Sequence, residues 1–288
     1  ELIAAALDAG ADEIIVGCGD SGINDGGAGM AQALGVRLLD AAGAEVGRGG
    51  GELARVARID LSRRDPRIAR TPIEVAVNWY NILTGPRGVA RVFGPQKGAT
   101  PEMVDALEAA LENYAAVVHD ATAIDMRKAP GGGASGGLGT GLAALLGATL
   151  RPRYQVVLRY LDVEAKLDQA DLVVTAEGRI DQQTPRGKAP AEVARRAARR
   201  GVPCLCLAGS IDPLADVVLD HGMTAFFSIT DGPASLATCL EDAQRLVERA
   251  AEHALRTVAA GMTIAPDPTD SAEIELRATA TAAALLPA

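Results

Sequence analysis

Short apolar segments alternate with helical segments through the second half of the chain, and this alternation constrains the fold more than any other feature. Residues 172–175, 202–207 and 225–228 are predicted strands, and residues 190–200, 213–221 and 236–259 are predicted helices. Strands this short, separated by helices, are typical of a parallel sheet with right-handed crossover connections. We therefore predict an α/β fold in which residues 172–175 form a buried strand.

The first half of the chain alternates less regularly. A strand is predicted within residues 11–17, an extended segment at 73–77, and helices at 2–7, 28–34 and 101–118, the last with Thr100 as its N-cap and Pro101 at its first position. A glycine-rich loop at 131–141 precedes an apolar helix at 142–150. Residues 154–161 are ambiguous: their tyrosines and valines suggest a strand, but residues 161–167 favour a helix. The domain boundary is predicted near residue 150, where the regular alternation begins.

The acidic composition limits the partners of the chain. Its 288 residues include 28 lysines and arginines against 37 aspartates and glutamates, which gives a formal net charge of −9. This balance argues against the basic surface that binds nucleic acid or an anionic membrane. Eight aromatic residues are also too few to form platforms on which bases stack. Apolar residues make up 48% of the chain, as in globular proteins, and the length predicts about two domains.

Cysteine spacing and apolar runs indicate the compartment. Cys204 and Cys206 lie two apart in one predicted strand, a spacing that cannot form a disulfide, and the other two cysteines lie far away in the sequence. We therefore expect a reducing cytoplasm. No apolar run approaches the ~20 residues of a membrane-spanning helix, so no membrane partner is predicted. The chain begins with Glu1 beside a predicted helix rather than with Met, and we expect further sequence upstream.

The first glycine-rich turn spans residues 17–29, between a predicted strand and a predicted helix. Its backbone N–H groups could approach an anion at the helix N-terminus, as phosphate-binding turns do. The alternative is a tight turn in which Asn24 and Asp25 cap the helix. The spacing fits neither a Walker A sequence nor a strict dinucleotide fingerprint, so the loop chemistry leaves binding and scaffold roles open.

The second glycine-rich segment holds seven glycines in the eleven residues 131–141. Ordering so many glycines is entropically costly, and a plain linker would not lead directly into an apolar helix. Close approach of the backbone to a ligand is the favoured interpretation, and a flexible hinge is the alternative.

The third segment places Glu177, Asp181 and Lys188 directly after the predicted strand at 172–175. Ligands of open α/β sheets bind outside the carboxyl ends of the strands. Two carboxylates and a lysine there suit phosphoryl transfer, since a carboxylate can orient a hydroxyl or Mg²⁺ and an ammonium can neutralise phosphate charge. A solvated loop with local ion pairs is the alternative, which the strand-end position disfavours.

Several long motifs occur together in one order. They are residues 24–30 (Asn-Asp-Gly-Gly-Ala-Gly-Met), residues 91–99 (Arg-Val-Phe-Gly-Pro-Gln-Lys-Gly-Ala), the glycine run from Pro130, residues 177–181 (Glu-Gly-Arg-Ile-Asp) with Gln183-Thr184 and Gly187-Lys188, residues 207–210, and residues 232–236. In these motifs the chain resembles the bacterial-type glycerate kinase family over nearly its whole length.

The resemblance implies ATP-dependent phosphorylation of D-glycerate to phosphoglycerate by a two-domain α/β enzyme. Residues 151–288 would form a flavodoxin-like domain with a parallel sheet, and residues 1–150 an inserted α/β domain, with the active site in the cleft between them. The family's N-terminal segment would precede Glu1, so we expect the first strand of the flavodoxin-like sheet to be missing. We expect a chain without that segment to bind nucleotide weakly and to phosphorylate glycerate poorly.

The site assignment combines the strand-end position with the resemblance. The predicted catalytic residues are Asp181, which orients or deprotonates the substrate hydroxyl, Lys188, and Glu177, which is also the candidate ligand for Mg²⁺. Lys97 is expected on the opposite wall of the cleft. The predicted substrate and phosphate-binding residues are Asn24, Asp25, Gly26, Lys97, Gly131, Gly132, Gly133 and Ser135. ATP and Mg²⁺ are the expected cofactors, a homo-oligomer is compatible with the sequence, and the phosphorylated hydroxyl is not indicated.

The chain also departs from the family pattern. Asp20 and Ile23 stand where glycine and threonine are usual, Asn78 stands where aspartate is usual, and Ile82 where proline is usual. These departures leave open a non-catalytic nucleotide- or phosphometabolite-binding module of the same fold, although the intact Glu177, Asp181 and Lys188 oppose it. A kinase for another small hydroxy acid is the second alternative.

Overall fold

The computed structural model describes residues 1–19 and 21–264, and the chain divides into two compact units. The first is Glu1–Gln169 and the second begins at Ala170. The division falls later than the boundary predicted near residue 150, because Thr149–Pro152 is a strand that pairs with the sheet of the first unit. The assignment of these units as an inserted domain and a flavodoxin-like domain stays a prediction.

The first unit combines two sheets with helices. Its helices and strands are α1 (Leu2–Asp8), β1 (Ile14–Gly17), α2 (Ala28–Ala33), β2 (Arg37–Leu39), β3 (Arg58–Asp60), β4 (Ile73–Val77), α3 (Val89–Phe93), α4 (Pro101–Thr122), α5 (Ala134–Thr140), β5 (Thr149–Pro152), α6 (Arg153–Tyr160) and α7 (Val163–Leu167). Short 3₁₀ helices occupy Gly50–Arg55, Pro66–Ala69 and Pro95–Lys97, and a π-helical turn spans Gly141–Leu145.

The larger sheet of the first unit is parallel, with the order β1-β4-β5. Its central strand β4 is buried at all five positions, as expected for a strand that is covered on both faces. Strands β2 and β3 form an antiparallel pair, which the sequence analysis did not identify. The carboxyl ends of β1, β4 and β5 lie at one edge of the sheet, and the segments that follow them build the polar pocket described below.

Several predictions for the first unit are confirmed. The apolar strand, the helix at 28–34 and the extended segment at 73–77 correspond to β1, α2 and β4. The side chain of Thr100 accepts a hydrogen bond from the Met103 N–H, and Pro101 is the first residue of α4. The cap and the helical spacing act together here, which explains why this helix was predicted well.

The region after residue 130 differs in part from the predictions. Residues 131–141 keep the predicted character of a glycine-rich loop, because α5 is broken by a kink at which Ser135, Gly136 and Gly137 have left-handed backbone, but the loop is mostly buried. The predicted helix at 142–150 is a π-helical turn that gives way to β5, and the ambiguous segment at 154–161 falls mostly in helix α6. Thr149–Pro152 takes the place beside β4, and Pro152 then serves as the N-cap of α6, so tertiary context overrides the strand propensity of the tyrosines and valines.

The described residues of the second unit, 170–264, form a parallel sheet with the order β6-β7-β8. The elements of this unit are β6 (Val173–Ile180), α8 (Ala189–Ala198), β7 (Cys204–Ile211), a 3₁₀ helix (Ala215–His221), β8 (Ala225–Ser228), α9 (Leu236–Glu241) and α10 (Ala243–Ile264). Leu205 and Leu207 of the central strand pack with Ala254 of α10 in a core cluster. The predicted strand and helix order of this half is thus confirmed.

Three details of the second unit correct the sequence analysis. Most of strand β6 is not buried: it lies at an edge of the described sheet, and residues 173–178 alternate between partly buried and exposed. Val174 is 44% exposed, and only Ile180 at the end of the strand is fully buried. The predicted helix at 213–221 is a 3₁₀ helix over Ala215–His221. The long helix predicted at 236–259 is interrupted at Asp242, where the backbone leaves the helical region and separates α9 from α10.

None of the helices within residues 1–19 and 21–264 is long and apolar enough to cross a membrane. All four cysteines are free thiols, including Cys204 and Cys206 in β7. The expected absence of a disulfide between these two agrees with their positions in one strand.

Candidate active site

The second unit brings the three predicted catalytic residues together at the carboxyl end of β6. The Lys188 ammonium lies 3.3 Å from Asp181 Oδ2 and 3.8 Å from Glu177 Oε1. It also donates a hydrogen bond of 2.9 Å to the carbonyl of Arg179. All three side chains are about one-quarter exposed, so the cluster is partly desolvated and remains open to a ligand.

The loop between β6 and α8 holds this cluster through local hydrogen bonds. The Asp181 carboxylate accepts from the Gln183 N–H at 2.9 Å, and the buried hydroxyl of Thr184 accepts from the Asp181 N–H at 3.0 Å. This is the local bonding by which aspartate and threonine favour turns. Gly187 has φ +98°, a conformation that favours glycine, and it leads into Lys188 at the N-cap of α8. The turn therefore returns Lys188 to the end of the strand that carries Glu177.

The environment of Asp181 favours its ionised form. Partial burial, the largest single influence, raises the pKa of this carboxyl, but the Gln183 N–H, the Lys188 ammonium and the Thr184 hydroxyl together outweigh burial and hold its pKa below the usual range. Asp181 is thus an ionised hydrogen-bond acceptor at neutral pH. A carboxylate with a lowered pKa is better suited to orienting a hydroxyl than to removing its proton.

The neighbouring strand contributes groups that the sequence analysis did not assign to the site. Asp212 directly follows β7, and its carboxylate lies 2.6 Å from the Arg179 guanidinium. The leading influence on Asp212 is the hydrogen bond from the Leu214 N–H, and with Arg179 it lowers the pKa of this carboxyl. Parallel strands end at the same edge of a sheet, so the position of Asp212 directly after the next strand could have identified it as a neighbour of the cluster.

The first unit packs its two glycine-rich segments directly against each other. The Gly26 N–H donates to the Gly136 carbonyl at 3.1 Å, and a Cβ on Gly136 would lie 1.9 Å from the Ile23 carbonyl oxygen. A Cβ on Gly137 would lie 2.6 Å from the Gly26 Cα. The glycines of both segments therefore permit a backbone-to-backbone contact within the protein, a role that the sequence analysis did not consider.

The N–H groups of Gly131, Gly132 and Gly133 are all used inside the fold. They donate to the carbonyls of Trp79, Ala129 and Asn81, each at 3.0 Å. The hydrogen bonds of Gly131 and Gly133 join the residues just before α5 to the segment that follows β4. In this arrangement none of the three N–H groups is available to a phosphate.

Asn24 and Asp25 occupy the turn before α2. The buried Asp25 carboxylate accepts the N–H groups of Gly27 and Gly29, both at 3.0 Å, and so caps the first turn of α2. This matches the capping alternative of the sequence analysis. The Asn24 amide nitrogen donates to the Val89 carbonyl at 3.4 Å, while its buried Oδ1 has no hydrogen-bond partner among the described residues.

Lys97 faces a polar pocket within the first unit, at the carboxyl ends of β1, β4 and β5. Its ammonium donates to the Ser21 hydroxyl at 3.2 Å and to the Ile23 carbonyl. Burial lowers the pKa of Lys97, and the nearby Asp25 carboxylate partly opposes this. The pocket has a volume of about 260 Å³ and is lined by Cys18, Gly19, Ser21, Asn78, Asn81, Phe93, Gln96, Lys97, Ala134, Ser135, Gly136 and Arg153.

Ser135 lies in this pocket wall with an unusual backbone. Its φ of +52° is in the left-handed region, which costs a residue other than glycine about 1–2 kcal/mol. Its buried hydroxyl has no geometrically acceptable hydrogen-bond partner among the described residues, although it lies beside the Cys18 thiol. A serine in a position suited to glycine, with an unused hydroxyl in a polar pocket, is typical of a binding site.

Of the described departures from the expected motif pattern, one, Asn78, lines this pocket. Asn78 and Asn81 line it from the segment after β4, whereas Ile82 contributes its carbonyl to the close packing around Gly133. Ile23 contributes the carbonyl that accepts from Lys97. Asp20 lies outside the described residues. Arg153, which the sequence analysis did not single out, also lines the pocket.

Comparisons with known proteins identify the family. The model of the glycerate kinase family matches residues 1–259. The glycerate kinase of Bacillus subtilis is 46% identical over 265 residues, which cover 92% of this chain and 68% of the relative. The glycerate 2-kinase of Escherichia coli is 43% identical over 262 residues, covering 91% and 69%.

A solved structure agrees with these sequence relatives. The crystal structure of a protein designated glycerate kinase 2 from Salmonella typhimurium LT2 aligns with a TM-score of 0.75 at 45% identity, covering 91% of this chain and 68% of the other. The α/β fold, the strand-end cluster and these matches lead to one conclusion. The chain belongs to the glycerate kinase family.

Proposed function

We propose that the protein is a glycerate kinase, which transfers a phosphoryl group from ATP to a hydroxyl of D-glycerate. The observation that carries this proposal is the cluster of Lys188, Asp181 and Glu177 at the carboxyl end of β6. Phosphoryl transfer depends mainly on positioning and on neutralising negative charge, and this cluster offers both an ammonium and carboxyl oxygens as hydrogen-bond acceptors.

Lys188 serves as the cation that neutralises phosphate charge. Its hydrogen bond to the Arg179 carbonyl and its contacts with two carboxylates fix the ammonium at the strand end. Asp181 orients the reacting hydroxyl by accepting its hydrogen bond. The hydroxyl oxygen forms the new bond to phosphorus as the bond to the leaving ADP oxygen breaks, and the hydroxyl proton passes to solvent water.

The donor chemistry at this strand end fits Mg²⁺. This ion is usually held by one or two protein carboxylates together with waters and substrate phosphates, and Glu177 and Asp181 offer two carboxylates beside one ammonium. Within the described residues, no group of three or more acidic, histidine or cysteine side chains forms a fully protein-built metal site. Bound there, Mg²⁺ would neutralise charge on the transferring phosphoryl group.

The pocket beside Lys97 is the proposed site for the anionic part of the substrate. It offers an ammonium, the hydroxyls of Ser21 and Ser135, and side-chain amides, which suit a small polyhydroxy acid. A volume of about 260 Å³ exceeds that of several water molecules at about 30 Å³ each, which is enough room for a three-carbon acid. Asn24, Asp25 and the glycine run then act by shaping this pocket rather than by binding phosphate directly.

The free thiols support the cytoplasm as the compartment of this activity, because an oxidising compartment favours disulfides.

The test of the proposal is the release of ADP from ATP by the intact protein, purified from its host, with and without D-glycerate. Release that depends on D-glycerate supports the proposal. Release that depends only on another hydroxy acid, tested in parallel, assigns a different substrate, and nucleotide binding without any release assigns a binding module.

A further inference from the structure

Three arginines near the end of β5 have different surroundings. Arg151 and Arg159 both pair with the buried carboxylate of Glu74 in β4, Arg151 at 2.7 Å. Arg153 lies between them in sequence but forms no ion pair with any carboxylate of the described residues. Its guanidinium instead lies 4.7 Å from the centre of the Tyr154 ring. This cation–π contact holds the group while leaving its N–H donors unused.

The described lining of the pocket that contains Arg153 carries positive charge, and the carboxylate of Asp25 acts on Lys97 from outside that lining. The described lining residues of the pocket include the two cations Lys97 and Arg153 and no acidic side chain. Lys97 already donates to the Ser21 hydroxyl and to the Ile23 carbonyl, so its ammonium is committed to holding the loop after β1. Arg153 is therefore the cation of this pocket with the most unused donor capacity.

We propose that Arg153 is a specificity-determining residue that binds the carboxylate of the hydroxy-acid substrate in this pocket. The inference rests on the proposed function for the identity of the acid. The planar guanidinium matches a carboxylate with two parallel N–H···O bonds, which an ammonium cannot provide. Lys97 supplies a second positive charge, and the unpartnered Ser135 hydroxyl is free to bond a hydroxyl of the same ligand.

This assignment gives the pocket a selectivity for charge. Glycerol has three carbons and hydroxyl groups like glycerate but carries no carboxylate, so it leaves Arg153 without an acceptor. Arg153 is exposed, so its donors are hydrated in the free protein, and the selectivity arises from the paired charge-assisted hydrogen bonds that a carboxylate can form and glycerol cannot. D-Glycerate should therefore bind through Arg153, and glycerol should bind poorly whether or not Arg153 is present.

The chain carries a reporter for this binding. Trp79 is its only tryptophan, it is 37% exposed, and it follows Asn78 in the pocket wall. The experiment titrates D-glycerate, glycerol and inorganic phosphate into the intact protein while Trp fluorescence is recorded, with a Trp79→Phe variant to assign the signal. Calorimetry measures the same binding without relying on fluorescence.

The comparison uses Arg153→Gln, Arg153→Lys and Arg58→Gln. Arg58 is an exposed residue of β3 that does not line the pocket, so it controls for the loss of one surface charge. We expect Arg153→Gln to weaken D-glycerate binding about 10- to 100-fold, as for lost charge-assisted hydrogen bonds, Arg153→Lys to weaken it less, and Arg58→Gln to leave it unchanged. Thermal unfolding of each variant checks that the fold is kept.

The outcomes separate this inference from the proposed function. Arg153-dependent binding of D-glycerate without any ADP release supports the role of Arg153 and contradicts the kinase proposal. Equal D-glycerate affinity, or an equal KM, in the parent protein and in Arg153→Gln overturns the role of Arg153 even if the protein is an active kinase. The role of Arg153 is also overturned if the parent protein fails to bind D-glycerate in both measurements. The same holds if Arg153→Gln weakens the binding of inorganic phosphate but not that of D-glycerate.

Discussion

The ammonium of Lys188 lies 3.3 Å from the carboxylate of Asp181, at the point where strand β6 ends and the turn toward α8 begins. The same ammonium bonds the Arg179 carbonyl, so one lysine links the strand, the turn and the N-cap of the following helix. Partial burial raises the pKa of Asp181, but the Gln183 N–H, the Lys188 ammonium and the Thr184 hydroxyl together outweigh it, so this carboxylate stays ionised at neutral pH. The predicted effects on activity follow from this relationship.

Replacing Asp181 by Asn removes the ionised acceptor and keeps the shape of the side chain. We expect kcat for D-glycerate phosphorylation to fall on the order of 10²-fold or more, as for groups that act directly on the reacting proton or hydroxyl. Asp171→Asn is the matched control, because Asp171 is exposed and lies just before the other end of β6. Steady-state kinetics of both variants make the measurement, and unchanged kcat in Asp181→Asn would remove Asp181 from the reaction.

The lowered pKa of Asp181 predicts a dependence of stability on pH. The ionised carboxylate stabilises the folded state above the pKa of an unfolded aspartate, near 3.9, and this contribution is lost as the pH falls through the lower folded value. The difference in free energy of unfolding between the parent protein and Asp181→Asn should be largest at neutral pH and should shrink below about pH 4. Urea titrations at several pH values measure it, and a constant difference would contradict the prediction.

Glu74 is expected to be the more important member of its ion cluster. Its side chain is 9% exposed, whereas Arg151 and Arg159 are about half exposed and can return to solvent. Glu74→Gln should lower the free energy of unfolding by about 1–3 kcal/mol, since it breaks charge-assisted bonds to a buried acceptor.

The control for Glu74 is a surface pair of similar length. Arg37 and Glu45 are 2.7 Å apart, and Glu45 is 58% exposed. Glu45→Gln should cost less than about 1 kcal/mol, as for other exposed ion pairs. Equal losses in the two variants would show that burial of Glu74 has no energetic effect.

Alanine substitutions at Gly136 and Gly147 distinguish the energetic cost of a steric clash from that of backbone strain. Both have positive φ, +71° and +77°, but a Cβ on Gly136 would clash with the Ile23 carbonyl, whereas a Cβ on Gly147 would meet nothing within 4 Å. We expect Gly147→Ala to cost about 1–2 kcal/mol and Gly136→Ala about 3–5 kcal/mol. Denaturant unfolding compares them, and similar costs would contradict the close packing of the two glycine-rich segments.

Ser135 is predicted to have a strained backbone and a hydroxyl that binds D-glycerate. Ser135→Ala removes the hydroxyl and keeps the strained backbone, whereas Ser135→Gly removes both, at an entropic cost of about 0.5–1 kcal/mol. Both variants should bind D-glycerate more weakly, and Ser135→Gly should be the more stable of the two. Parallel titrations and thermal melts test this, and unchanged affinity in both would exclude a binding role for the hydroxyl.

The sequence was most informative where local and global signals agree. Thr100 and Pro101 predict the start of α4 because a cap and a helical apolar pattern coincide there. Glu177, Asp181 and Lys188 were brought together by reasoning about strand ends, since the carboxyl edge of a parallel sheet is where loops converge.

The sequence was least informative where partners distant in the chain decide the structure. Residues 154–161 carry strand-favouring side chains but form α6, because the position beside β4 is taken by Thr149–Pro152. The role of Gly136 depends on the carbonyl of Ile23, more than 100 residues earlier in the chain. Arg153 belongs to none of the motifs recognised in the sequence. Only the structure shows that it lines a pocket and forms no ion pair with the described carboxylates.

The central claim is that this protein transfers phosphate from ATP to D-glycerate. Phosphorus NMR of the intact protein with ATP, Mg²⁺ and D-glycerate tests it most directly, because it follows the phosphoryl group itself. We predict a new phosphomonoester resonance that grows in step with ADP, and the position of that resonance identifies the hydroxyl. Unchanged ATP, or conversion of ATP to inorganic phosphate without a phosphomonoester, would contradict the claim.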